Sequence, residues 1–169
     1  MFKNTIFRRM TALVLTLALA AAAALPGLAV YPMPIQTASE TEAVYLFNAD
    51  TGKTILNQNA DQQQYVASLT KLMTALLLLE SGKDLNGEVT VPTALTQEFR
   101  DIQNANGTTM GLRIGETVRR IDLLNAMLIV SANDAASVIA YDVGGSVLDF
   151  VKQMNARAQE LGCTGTNFT

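Results

Sequence analysis

Ala67-Ser68-Leu69-Thr70-Lys71-Leu72-Met73-Thr74 opens a strongly apolar segment whose reading decides how the rest of the chain is understood. Between positions 69 and 79 stand Leu69, Leu72, Met73, Ala75, Leu76, Leu77, Leu78 and Leu79, followed by Ser81-Gly82. A segment apolar nearly all round predicts a helix inside a protein, with Gly82 as its C-terminal cap. It is too short to cross a bilayer. Ser68 and Lys71 stand three apart at its head, so they share a helix face with Cβ atoms roughly 5–6 Å apart. The lysine amine can therefore reach the serine hydroxyl.

The chain contains no histidine. No Ser-His-Asp triad or His-ligated metal site can be built, and a nucleophilic serine would need another base. Lysine serves only when neutral, which requires its pKa to fall below about 10.4 through burial or a nearby positive charge. The surrounding leucines supply the burial. Taken singly, Ser68 reads as a helix N-cap, Lys71 as a solvated lysine, and Ser131-Ala132-Asn133 as a capping turn. Together they form a coherent set, because acyl transfer by a serine and a lysine needs a proton path to the leaving group, and a second serine can relay it. The amide of Asn133 can hold a peptide carbonyl.

The flanking pattern gives this set a scaffold. Ile121, Leu124, Met127 and Leu128 mark one helix face ending near Val130. A second helix is expected from Asn133 or Asp134, either of which can cap it, to Gly144-Gly145. Ser146 should cap a third, whose Val147, Phe150, Val151, Met154, Ala158 and Leu161 keep helical spacing up to Gly162. Upstream, Ala43-Val44-Tyr45-Leu46-Phe47 and Thr54-Ile55-Leu56 flank Asp50-Thr51-Gly52, which predicts a β-hairpin. Its apolar run without alternation predicts a strand covered on both faces. Positions 83–116 are polar and punctuated by Gly87, Pro92, Gly107, Gly111 and Gly115, so only short extended pieces such as Glu88-Val89-Thr90-Val91 are expected there.

The N-terminus reads as a processing segment. Lys3, Arg8 and Arg9 precede fifteen mostly Leu, Ala and Val residues at 11–25, and Gly27-Leu28-Ala29 suits cleavage after Ala29. The run falls short of the roughly 18–20 apolar residues a membrane span needs. Residues 1–29 are expected to be a signal peptide, 30–41 a linker, and 42–169 a single domain or part of one. Removing the leader leaves nine basic against fifteen acidic residues, a net charge of −6, which disfavours nucleic acid as a partner. Cys163 is the only cysteine and is expected to be a small buried hydrophobe.

The segment around Ser68 resembles the nucleophile motif of the low-molecular-mass penicillin-binding proteins, the serine D-alanyl-D-alanine carboxypeptidases of peptidase family S11. Ser131-Ala132-Asn133-Asp134-Ala135-Ala136 resembles their second motif. Gly115-Glu116-Thr117-Val118, Phe150-Val151-Lys152-Gln153-Met154-Asn155 and Leu161-Gly162 extend the likeness, which covers residue 43 to the end. It implies an α/β (α+β) protein of the β-lactamase/transpeptidase-like fold, here the N-terminal β-hairpin plus the helical lobe with an incomplete sheet. Residues 42–169 would be a partial catalytic domain. Ser68 would attack the bond between the last two D-alanines of a peptidoglycan stem peptide, Lys71 would take its proton, Ser131 would relay a proton, and Asn133 would bind the substrate. β-Lactam antibiotics would acylate the same serine. No metal or organic cofactor is implied. The setting would be extracytoplasmic, and a C-terminal membrane anchor, common in the family, would lie beyond Thr169 if this protein has one.

Two departures stand out. Ala132 occupies a position where the family commonly has glycine, a small change expected to be tolerated. The family's third motif, Lys-Thr-Gly, does not occur in these 169 residues. Its strand supplies part of the oxyanion hole, and one lost oxyanion donor costs on the order of a hundredfold in rate. The 169 residues alone are therefore expected to be an incomplete, poorly folded catalyst that fluorescent penicillin does not label. The alternatives are a serine β-lactamase of the same fold and a non-catalytic penicillin-binding or cell-wall-binding module. One major β-lactamase class would show Ser-Asp-Asn and a downstream glutamate, where this chain has Ala132 and an acid-free Thr166-Asn167-Phe168.

Overall fold

The computed structural model describes residues 41–169, so the expected leader at 1–29 and all of the 30–41 linker but Thr41 lie outside the described residues. Strands β1 (Val44–Asn48) and β2 (Lys53–Gln58) form the predicted antiparallel hairpin, with Leu46 opposite Leu56 and a bulge between Leu46 and Phe47. Asn48 builds the turn: its carbonyl accepts from Gly52 N and its side chain from Thr51 N. Among the described residues this strand is not covered on both faces, contrary to expectation. Tyr45, Leu46, Phe47 and Ile55 are each more than 40% exposed. The sheet holds two strands, and no other element packs broadly on it among the described residues.

The helical lobe follows the sequence more closely. A 3-10 turn (Ala67–Leu69) leads into α1 (Thr70–Glu80). Thr74, Ala75 and Leu78 of α1 face the core, but Leu72 and Leu79 are exposed, so this helix is buried along one side and not all round. The following loop leads to β3 (Glu88–Thr90), which pairs antiparallel with β4 (Thr117–Arg119) through Val89 opposite Val118. Between them lies α2 (Thr96–Asn104), where only short extended pieces were expected. Its sequence is polar, and Phe99 and Ile102, with Leu95 just before the helix, alone keep a helical spacing of four and three.

Helices α3 (Arg120–Ile129), α4 (Asn133–Gly144) and α5 (Val147–Glu160) match the expected boundaries. Ser146 caps α5 by accepting from Asp149 N. Helix α4 runs through the middle, with α1, α2, α3 and α5 against it. Its Ala135 and Val138, with Ala132 just before it, are fully buried beside Leu78, Leu123 and Met127. Where α4 meets α5, a Cβ on Gly144 would lie 2.7 Å from Phe150 Cβ, so only glycine permits that approach. Cys163 is exposed, contrary to expectation. It lies in the turn that closes α5, where its N–H bonds back to Ala158 O and its side chain has no core to enter.

One ion cluster ties the lobe together. Arg120 forks onto Asp142 (2.7 and 3.1 Å), and Lys83 Nζ lies 3.4 Å from the same carboxylate. Burial alone would raise the Asp142 pKa, but the hydrogen bonds and charges of Arg120 and Lys83 outweigh it and hold the carboxyl below its ordinary 3.8. Asp142→Asn leaves two cations short of a partner and is expected to cost about 3 kcal/mol in urea unfolding at neutral pH. A depressed carboxyl pKa stabilises the fold above the unfolded value, and that stability is lost as pH falls through the lower folded value. The acid limb of the stability profile should therefore flatten in the variant.

Candidate active site

Ser68 sits in the middle of the 3-10 turn, preceded by Ala67 at φ +47°, a left-handed conformation that L-residues other than glycine and asparagine seldom adopt. The turn lifts Ser68 to the surface at the head of α1. Its side chain caps no helix. Instead Ser68 Oγ lies 2.8 Å from Ser131 Oγ and 3.3 Å from Lys71 Nζ.

Ser131 comes from the other side of the cleft. It ends the α3 segment at φ +60°, a second left-handed non-glycine residue, and the chain then turns at once into α4. Ala132 is the backbone N-cap of α4 at φ −62°, ψ 118°, so nothing in that conformation requires glycine. The N-cap position falls to Ala132 and not to Asn133 or Asp134, while Asp134 Oδ1 still accepts from Ala135 N, one of the free N–H groups of the first turn. Asn133 Oδ1 accepts from Lys71 Nζ at 2.7 Å. The sequence brings Ser68, Lys71, Ser131 and Asn133 together as one hydrogen-bonded group.

Burial holds the Lys71 amine below its ordinary 10.5. A charged amine donates to both Ser68 and Asn133. A neutral one can donate to Asn133 and turn its lone pair to the Ser68 proton. Beside Ser68 the cleft is walled by Val66, Leu69, Leu72, Met127 and Leu128, an apolar border that favours the neutral form.

Sequence reasoning missed the two left-handed residues and the role of Asp134. No residue type announced the first, because alanine and serine carry no preference for positive φ. Asp134 was noticed only as a helix cap.

Two hydroxyls, one amine and one amide on a helical lobe define a serine–lysine site, the class to which the motif order points. Comparison with known proteins gives the family. The model of Peptidase_S11, D-alanyl-D-alanine carboxypeptidase, matches residues 32–169, and the chain belongs to that family. The D-alanyl-D-alanine carboxypeptidase DacF of Bacillus subtilis (strain 168) is 33% identical over 136 residues, covering 79% of this chain and 33% of DacF. A D-alanyl-D-alanine endopeptidase of Pseudomonas aeruginosa is 34% identical over 136 residues, covering 80% of this chain and 42% of the relative. Among solved structures, the Streptomyces K15 DD-transpeptidase superposes with a TM-score of 0.67 at 31% identity, covering 75% of this chain and 51% of that one. The fold is thus that of the DD-transpeptidases, and the chain spans a third to about two-fifths of these curated relatives.

Proposed function

We propose that this chain carries the nucleophile half of a serine-type D-alanyl-D-alanine carboxypeptidase, with residues 42–169 as part of its catalytic domain. The observation that carries the reading is the continuous set of hydrogen bonds joining Lys71, Ser68, Ser131 and Asn133. Neutral Lys71 takes the hydroxyl proton of Ser68 as Oγ bonds to the carbonyl carbon between the last two D-alanines. The C–N bond then breaks, and the proton passes from Lys71 through Ser131 to the departing amine of D-alanine. Asn133 holds the acyl-side peptide with its amide N–H while its oxygen steadies Lys71. Water releases the shortened stem peptide in a second step through the same groups. A β-lactam would acylate Ser68 as a substrate mimic. The substrate lies outside the cytoplasm, which agrees with the leader expected at 1–29. No helix among the described residues is long and apolar enough to cross a membrane.

The test uses the complete gene product, a fluorescent penicillin and a peptide ending in D-Ala-D-Ala. A long-lived adduct on the peptide that contains Ser68, together with release of free D-alanine, is the expected result. Rapid penicillin turnover without a lasting adduct would make the protein a β-lactamase. An adduct without any D-alanine release would leave a binding module.

A further inference from the structure

Asp134 is 2% exposed, and no ion pair partners its carboxylate among the described residues. Its oxygens are nonetheless fully engaged. Oδ1 accepts from Met110 N at 3.0 Å and Ala135 N at 2.9 Å, and Oδ2 accepts from Gly111 N and Leu112 N at 3.0 Å each. Only the bond from Ala135 is local to α4. The other three reach back 22–24 residues to one short stretch of loop, which a helix cap would not do.

That loop is the neighbour of Asn133. Asn133 N donates to Thr108 O at 2.8 Å. Gly107 lies so close that a Cβ there would sit 3.0 Å from Asn133 Nδ2, with Ile102 Cγ2 and O at 3.0 and 3.1 Å. Residues 107–112 thus form a strap whose start is bonded to the Asn133 backbone through Thr108 O and leaves no room for a side chain beside the Asn133 amide, and whose end is fastened by Asp134. The Asn133 oxygen faces Lys71, and a rotated amide would turn an NH2 donor toward the amine and lose that bond.

We propose that Asp134 is a positioning residue: its buried carboxylate fastens the 107–112 strap, the strap fixes the Asn133 amide, and Asn133 holds Lys71 against Ser68. This inference rests on the acyl-transfer reading for its effect on rate but not for its effect on structure. A carboxylate suits the task because it is acceptor-only and offers both oxygens to N–H donors. Asparagine of the same shape offers one oxygen, so Asp134→Asn must aim an NH2 group at two of the four backbone donors, whichever way it flips. Small misplacements around reacting groups can cost about a hundredfold in rate.

The experiment compares Asp134→Asn and Gly107→Ala with the parent in the complete gene product. It reads amide hydrogen exchange, the side-chain amide resonance of Asn133, and the rate of acylation by fluorescent penicillin. Asp134→Asn should expose the amides of Met110, Gly111 and Leu112 and shift the Asn133 resonance, while Val138, Ile139 and Ala140 in the middle of α4 keep their protection. Acylation should slow about tenfold to a hundredfold. Gly107→Ala perturbs the other end of the strap. It should move the Asn133 resonance and slow acylation with the Asp134-bound amides still protected.

Loss of protection along the whole of α4 in Asp134→Asn, with the Asn133 resonance unmoved in Gly107→Ala, would make Asp134 a structural residue only and overturn the proposal. So would a freed strap with Asn133 and the acylation rate unchanged. If penicillin does not acylate the parent at all, the acyl-transfer reading fails, and the exchange pattern and the Asn133 resonance still decide whether the strap positions that amide.

Discussion

Ser68→Ala is expected to abolish covalent labelling of the complete gene product by penicillin, a loss on the order of 10⁶-fold by comparison with removal of the nucleophile from other serine peptidases. The substitution deletes the oxygen that bonds both Lys71 Nζ and Ser131 Oγ. It should do so at almost no cost in stability. Ser68 is exposed and caps no helix, so its hydroxyl serves chemistry and not the fold. Thermal unfolding of the variant should match the parent within a degree or two. The sharpest rival is the other hydroxyl of the pair, Ser131 Oγ, only 2.8 Å away and of the same chemistry. Ser131, however, is not bonded to Lys71, whereas Ser68 is. Peptide mapping separates the two, and an adduct that survives in Ser68→Ala on the peptide containing Ser131 would defeat the assignment of the nucleophile.

Much of this site was legible because helix geometry turns spacing into proximity. Ser68 and Lys71 stand three apart at a helix start, which puts them on one face within reach of each other. The boundaries of α4 and α5 were legible from Gly144-Gly145, Ser146 and Gly162, residues with strong preferences at helix ends. Helix α2 was not, because its only apolar positions are Phe99 and Ile102, with Leu95 just before it, and tertiary contact with α4 sustains a helix that local pattern hardly suggests. The clamp of Asp134 was hidden for a different reason. Its loop partners are backbone N–H groups of Met110, Gly111 and Leu112, and a backbone amide has no residue identity for a sequence to display.

The hairpin shows the same limit from the other side. An unbroken apolar run such as Val44-Tyr45-Leu46-Phe47 correctly signals a strand, yet it cannot say what covers it. Tyr45 and Phe47 stack on one another with ring centroids 6.3 Å apart, which buries a little area and leaves both rings largely exposed. The site stands on the helical lobe and not on the hairpin: Ser68 comes from the 3-10 turn before α1, Lys71 from α1, Ser131 from the α3–α4 turn and Asn133 from the first position of α4.

Lys71→Ala is expected to slow acylation of Ser68 by about 10²- to 10⁴-fold, the usual span for loss of a general base. The pH dependence makes the assignment specific. A base must be neutral to accept the Ser68 proton, so the acylation rate should rise with pH as Lys71 loses its own proton and then level off. Burial lowers that pKa from 10.5, so the midpoint of the rise should lie below the value of a free lysine. In Lys71→Ala the rise attributable to this group should vanish, leaving a slow and nearly flat profile. Lys71→Arg keeps the positive charge and much of the length but cannot be deprotonated in a protein, so it should fail about as badly as alanine. That outcome is the informative one, because a lysine that merely offered positive charge to an anionic substrate would be replaced well by arginine. A Lys71→Arg variant that acylates at near the parental rate with an unchanged pH midpoint would remove Lys71 from the role of base, while leaving Ser68 as nucleophile intact.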